Sequence, residues 1–423
     1  MKDKNLFLAI AVLFFLSCYS RPAYPLDEID AELQTENETE IKTDVVKETK
    51  KEPKKITKKE IKIEADVPVS YSLTLTAVGD NLYHNSMITS SLIDGVYNFA
   101  PVYSEIKKLV ENSDIAFINQ ETPMAGTSYG YTGYPVFNSP QTLAHALVET
   151  GFDVFNFANN HAMDMRAQGL YATLDFFETI EGITVIGARR AGESARIITK
   201  NNISLGFLAY TFGVNSYTIP SNNTNLVSLI DRPKMKEEIE ALRPLCDFLI
   251  VSMHWGEEYM QEPSREQISL AQFLAELNVD LIIGHHPHVL QRVDTITLPD
   301  GRKTICYYSL GNLVTHQLEW ERLIGGMAVV TFTKEGIRSA TGEVTWSEEN
   351  SITDFGMIPL VTHFDRSFRN TKVYPLYAYT EELLAVHGLR WRAAGPITLN
   401  FFNNVLNRMK VKIITEYPFA EDE

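Results

Sequence analysis

Cysteine is nearly absent from this chain: Cys18, Cys246 and Cys306 are the only three among 423 residues. Three scattered thiols cannot build a disulfide framework or a cysteine-rich zinc module. Any metal must therefore be held by His, Asp, Glu or Asn. Basic charge is short too, with 38 Lys plus Arg against 54 Asp plus Glu and a formal charge of −16. That balance excludes a nucleic-acid binder working through a basic face. The apolar run near the start, Leu6 to Leu16, is too short to span a bilayer. What the chain does have is core material, 44% hydrophobic and 11% aromatic residues. This suits about two domains or one large α/β domain and excludes wholesale disorder.

Residues 1–18 read as a lipoprotein-type signal peptide: Lys2 and Lys4 precede the apolar run, and Ser17 precedes Cys18. Phe15, three positions before Cys18, departs from the commonest cleavage pattern. The expected product carries a lipid on Cys18 and sits in the cell envelope, outside the cytoplasm; a plain secretory signal and an uncleaved anchor are the competing readings. Residues 19–70 read as a charged, disordered tether, because acidic residues from Asp27 to Glu40 give way to lysines from Lys47 to Lys62 with little apolar patterning. The lysines serve either as a solvated spacer or as a grip on anionic lipid or an acidic polymer.

Beyond residue 70, short β-rich apolar runs alternate with helical patterns, and no internal repeat is evident. Strands are expected at Leu73–Val78, Ile115–Asn119, Val154–Ala158, Ile203–Tyr210, Phe248–Met253, Leu281–Gly284, Thr304–Ser309 and Met327–Phe332. Helices are expected over Gln168–Ile180 and after Ser264, where Ser264-Arg265-Glu266-Gln267 spells a capping box. Such alternation predicts a layered α/β fold.

Five of the strands run directly into ligand-type side chains. These are Gly79-Asp80, Asn119-Gln120-Glu121, Asn159-Asn160-His161, His254-Trp255-Gly256 and Gly284-His285-His286-Pro287-His288. Open α/β sheets bind ligands beyond the carboxyl ends of their strands, so the five segments point to one site. Carboxylates, carboxamides and imidazoles without a thiolate suit Zn, Mn or Fe. Three of the segments also have a plainer reading: a turn at Asp80, a surface turn at His285 to His288, a helix cap at Asn160-His161. Asp164 reads as a supporting carboxylate rather than a ligand.

Val78-Gly79-Asp80, Asn119-Gln120-Glu121, Ala158 to Asp164, His254 to Tyr259, Gly284 to Gln291 and Tyr308 to Asn312 resemble, in order, the blocks of the CapA-type poly-gamma-glutamate capsule synthesis family. The resemblance runs from about Leu73 to about Thr333. Because that family is similar to calcineurin-like metallophosphoesterases, the resemblance implies a four-layer α/β/β/α sandwich over residues 71–333. Residues 334–423 are then a C-terminal extension packing on or flanking it. One or two divalent ions are implied, held by Asp80, Glu121, Asn160, His254, His286 and His288, with His285 the less favoured imidazole. His161 takes the place of a general acid, while Tyr259, Glu258 and Asn312 line the site, Tyr259 positioning the substrate. Two departures stand out: Leu82 replaces a histidine usual two residues after the first aspartate, and Gln120 replaces a leucine.

The implied function is a metal-dependent hydrolase or transferase that makes, attaches or processes a capsule or similar extracellular polymer. It would act on an anionic polymer or a phosphoester, attached to the membrane through Cys18 and within a membrane synthesis complex, with no nucleic acid involved. A non-catalytic polymer-binding subunit and a 5′-nucleotidase-like phosphoesterase are the alternatives. The histidines His84, His145, His316, His363 and His387, and the Tyr- and Arg-rich stretch from Tyr374 to Arg392, are read as structural, with His316 near enough to Asn312 to border the site.

Overall fold

A computed structural model describes residues 66–191, 196–347, 350–391 and 398–419. The signal segment, Cys18 and the tether up to residue 65 lie outside the described residues. The first strand, β1, spans Val67–Asn81, so the sheet opens four residues inside the stretch read as tether. The reason is pairing. Val67 to Tyr71 lie in antiparallel register with Arg338 to Lys334, and a ladder of backbone hydrogen bonds outweighs a weakly apolar composition.

The strands of the first sheet are β1, β2 (Ile115–Gln120), β3 (Val154–Asn156) and β4 (Thr184–Ile186). The second sheet is built from β5 (Arg196–Lys200), β6 (Ile203–Thr211), β7 (Phe248–His254), β8 (Leu281–His285), β9 (Leu290–Thr297) and β10 (Lys303–Leu310). The chain then returns to the first sheet through β11 (Asn312–Val314), β12 (Ile324–Arg338), β13 (Ser351–His363) and β14 (Lys372–Pro375). The sheet orders are β14-β13-β12-β1-β2-β3-β4 and β9-β10-β8-β7-β6-β5.

The period of two along each strand sorts the core into layers. Ile115 and Phe117 of β2 face the other sheet, while Ala116 and Ile118 face helices. In the second sheet Phe248 and Ile250 face the shared core; Leu249, Val251 and Met253 face the opposite side. Helices Thr142–Thr150 and Arg166–Phe177 cover the first sheet through Leu143, Leu147, Leu170 and Leu174. Helices Arg232–Leu242 and Arg265–Glu276 cover the second through Met235, Ile239, Leu270 and Leu274. The result is an α/β/β/α sandwich, as expected. The Ser264 box also forms: its hydroxyl accepts from the Gln267 backbone N–H at 3.2 Å, and the Ser264 N–H donates to the Gln267 side chain at 2.9 Å.

The C-terminal stretch is integral to the sandwich. β13 pairs with β12 from Ile324 to Thr333, and helix Leu399–Leu406 sends Phe402 and Val405 into the core between the sheets. Tyr379 is buried and Tyr374 packs against the same core, while Tyr377 stays exposed. Among the described residues no helix is long and apolar enough to cross a membrane.

β1, β2 and β3 run parallel, as do β6, β7, β8 and β10. Their carboxyl ends therefore gather at one edge, and the two sheets meet closely there. A Cβ on Gly79 would lie 1.9 Å from the Gly311 carbonyl oxygen, and one on Gly284 would lie 2.0 Å from that of Tyr308. Only glycine admits such backbone approach. Gly284→Ala should cost at least about 1–3 kcal/mol through forced strand displacement, measured as a lower denaturant midpoint.

Candidate metal centre

Each candidate side chain is delivered by a strand end. At β1 the register with β2 slips between Val78 and Asp80, a bulge that re-aims the aspartate. A buried amide chain then fixes it. Asn119 Nδ2 donates to Asp80 Oδ1 at 2.7 Å, and Asn156 Nδ2 donates to Asn119 Oδ1 at 2.9 Å and to Ser252 Oγ at 3.2 Å. The His286 backbone N–H reaches Asp80 Oδ2 from the other sheet at 3.2 Å.

His286 and His288 lie at the turn after β8 with φ of 97° and 56°. Neither value suits a branched L-residue, and strain of this kind, worth on the order of 1–3 kcal/mol per residue, collects at functional turns. His288 Nδ1 lies 3.0 Å from both Asp80 Oδ2 and Asn312 Oδ1. Both neighbours are acceptors, so this nitrogen carries a proton and Nε2 is the one left facing Glu121, whose Oε1 is 3.7 Å away. His254 Nε2 lies 2.8 Å from Asn160 Oδ1 and 3.7 Å from Glu121 Oε1.

Glu121 is fully buried, and neither carboxylate oxygen has a hydrogen-bond partner. His254 Nδ1 and His286 Nδ1 are unpartnered as well. Orphaned buried polar atoms in this number are costly unless an ion satisfies them. The groups converge: Glu121, His254 and His286 bring one ligand atom each within 4.8 Å of one another, as do Asp80, Glu121 and His288, and again Glu258, His286 and His288. The residues fit a divalent cation by donor type, and Glu121 belongs to two of the three groups, as a bridging carboxylate would.

The electrostatics agree. Burial raises the Glu121 carboxyl well above its ordinary value, reinforced by the Asp80 charge. Burial would raise Asp80 too, but His285 and His288 beside it hold it well below the carboxylate range. Burial lowers His254 and also His286, the latter to about 3 with the His288 charge adding to it. His288 moves the other way, to about 9, because Glu121 and Asp80 outweigh its burial.

His161 stands at the rim of this cluster. Its Nδ1 lies 2.8 Å from Asp164 Oδ2, which also accepts the Phe137 N–H at 2.7 Å. Asp164 thus supports His161, as its place in the sequence suggested. Asn312 is buried behind His288, with its amide donating to the carbonyls of His288 and Arg322 at 3.2 and 2.9 Å. It holds a ligand candidate in place from behind. Tyr259 is partly exposed with φ of 67°, its N–H donating to the Pro287 carbonyl at 2.7 Å. Burial and Glu258 push its phenol up to about 12. His285 is fully buried, 3.5 Å from Asp80 and stacked on Phe117. Leu82 is buried and supplies no donor. His316 is spent on Ser86 and Thr371, each at 2.8 Å.

Three further residues lie near the cluster: His84, read from the sequence as structural, and Asn215 and Phe212, which were not singled out there. His84 feels the charges of His288 and His161 and is lowered to about 4, chiefly by burial. Asn215 accepts from Asn160 Nδ2 at 3.2 Å. Phe212 is 50% exposed, with its ring 4.5 Å from that of His286. None lies in a strand-end motif, and only the fold brings them near.

A family model, described as bacterial capsule synthesis protein PGA_cap, matches residues 74–317, more than half of the chain. The chain belongs to the PGA_cap family. Every ligand candidate from Asp80 to His288 lies inside that match, together with His161, Tyr259 and Asn312. The chain is 30% identical over 274 residues to the capsule biosynthesis protein CapA of Bacillus anthracis, covering 61% of this chain and 64% of that one. It is 32% identical over 180 residues to the PGA biosynthesis protein CapA of Bacillus subtilis, covering 42% and 46%. The chain thus spans less than two thirds of either relative. Among solved structures, it is similar to Haemophilus influenzae NAD nucleotidase, at 13% identity and a TM-score of 0.36, covering 69% of this chain and 52% of that one.

Cation uptake should release protons near neutral pH, because His288 and the raised Glu121 carboxyl must shed theirs to ligate. Calorimetry in buffers of different ionisation enthalpy reads this directly. His288→Ala should lower the release, and Glu121→Gln should lower bound metal by elemental analysis.

Proposed function

We propose that this PGA_cap protein is a metal-dependent hydrolase or transferase that acts on an anionic capsule-type polymer, a γ-linked glutamate chain, at the cell envelope. The observation that carries the reading is Glu121: a buried carboxylate with no partner, facing three imidazoles, has no structural purpose without a cation. The names of the Bacillus relatives, a capsule biosynthesis protein and a PGA biosynthesis protein, support the polymer class. Attachment through a lipid on Cys18, and membership of a membrane synthesis complex, complete the reading.

One or two divalent ions would be held by Asp80, Glu121, Asn160, His254, His286 and His288, with Glu258 in reach at the opening. A bound divalent ion supplies Lewis acidity and activates water near neutral pH. The protein's own groups do the rest. Asp80 and Asn312 fix the tautomer of His288. Asp164 accepts from His161 Nδ1, which leaves Nε2 to deliver a proton to a leaving group. Tyr259, partly exposed with its ring 6.3 Å from that of His288, orients the chain of the substrate.

Metal-loaded protein should cleave or transfer γ-glutamyl units, and chelation should abolish turnover. His161→Ala should lower kcat by about a hundredfold with bound metal unchanged. Polymer binding that survives chelation, without turnover, would establish the non-catalytic subunit instead. Turnover confined to a nucleotide panel would establish the phosphoesterase.

A further inference from the structure

Beside the cation cluster lies a charged pair that belongs to no family motif. Arg322 and Glu319 fall after residue 317, where the family match ends. The Arg322 guanidinium carbon sits 3.4 Å from the centroid of the Tyr259 ring. Its Nη1 lies 2.8 Å from Glu319 Oε2, and the glutamate side chain is 52% exposed against 22% for the arginine.

Both supports of the guanidinium lead back to the histidine turn. The Arg322 carbonyl accepts from Asn312 Nδ2, while Asn312 Oδ1 meets His288. The Tyr259 ring beneath the guanidinium is tied to Pro287 by its own N–H and lies 6.3 Å from the His288 ring. Trp320 and Leu323 on either side are buried anchors. The cationic group is therefore held in register with His286 and His288 although it stands outside their cluster.

A guanidinium lying on an aromatic face keeps its in-plane N–H groups directed outward, where they match a carboxylate in bidentate fashion. Here that edge meets a carboxylate on a solvent-facing side chain. Two acidic residues, Glu258 and Glu319, border Tyr259, so an approaching polyanion meets repulsion unless Arg322 is available to it.

We propose that Arg322 is the group that binds a substrate carboxylate beside the reacting bond, and that Glu319 occupies it until the substrate displaces it. Glu319 is itself a glutamate side chain, so the resting pair presents the chemistry of the bound one. The inference rests on the polymer reading above and names the residue that selects for it. Arg322 is a specificity residue and touches no cation ligand directly.

The test uses fluorescence anisotropy of a dye-labelled, short γ-linked glutamate oligomer with the cation-loaded protein, its bound metal measured on the same samples. Arg322→Ala should weaken binding by about tenfold, the loss of one charge-assisted contact. Arg322→Lys should restore part of it. Glu319→Gln should tighten binding severalfold, because an exposed ion pair is worth about 1 kcal/mol or less. The opposite signs separate this role from a structural salt bridge, for which both variants would act alike. Changes of the same sign, or none, or no oligomer binding by cation-loaded wild type, would overturn the inference. Opposite signs in a protein that takes up no metal would overturn the catalytic reading and leave this one standing.

Discussion

The structure is organised around a carboxylate that has nowhere to go. Glu121 is buried where two sheets converge, and no protein donor meets either oxygen. A charge in that position is tolerated only if something of opposite sign shares it. The arrangement around it follows: imidazoles from the second sheet, an aspartate re-aimed by a bulge, and an amide chain that fixes the aspartate. The cluster draws on both sheets, so the sandwich itself is what sets its dimensions.

Much of this was legible before any fold was seen. Strand runs such as Ile115–Asn119 and Phe248–Met253 declare themselves by β-rich apolar content, and the polar residues closing them mark the edge where parallel strands end. The Ser264 capping box works because its physics is local. The β12–β13 pairing was not legible, because Ser351 to Phe355 are largely exposed and show no clean alternation. Nor was the role of Asn312: a motif match supplies position, but whether an amide faces substrate or a neighbouring imidazole is decided by packing. Arg322 and Phe212 carry no spacing signal at all. They matter through contacts across long stretches of chain, and single-sequence periodicity is blind to these.

Backbone strain and glycine contact work together at the turn from Gly284 to His288. Gly284 lets the strand pass close against Tyr308, which carries the following turn to the meeting point of the sheets. Two histidines then adopt left-handed backbone angles, with Pro287 stiffening the link between them. The turn gains its position from a residue without a side chain and its chemistry from residues that would ordinarily avoid such conformations.

The strand order has a temporal corollary. β1, which carries Asp80, lies between β2 and β12, so its antiparallel neighbour is translated some two hundred and fifty residues later, from Ile324 onward. Pairings of such sequence separation form late and slowly. A nascent chain that ends before Ile324 lacks the strand that pairs with β1 from Val67 to Val78, the run that leads into Asp80. The strand that carries Asp80 is thus clasped on both sides only in a nearly finished molecule, so the edge where the sheets meet is among the last parts of the fold to become rigid.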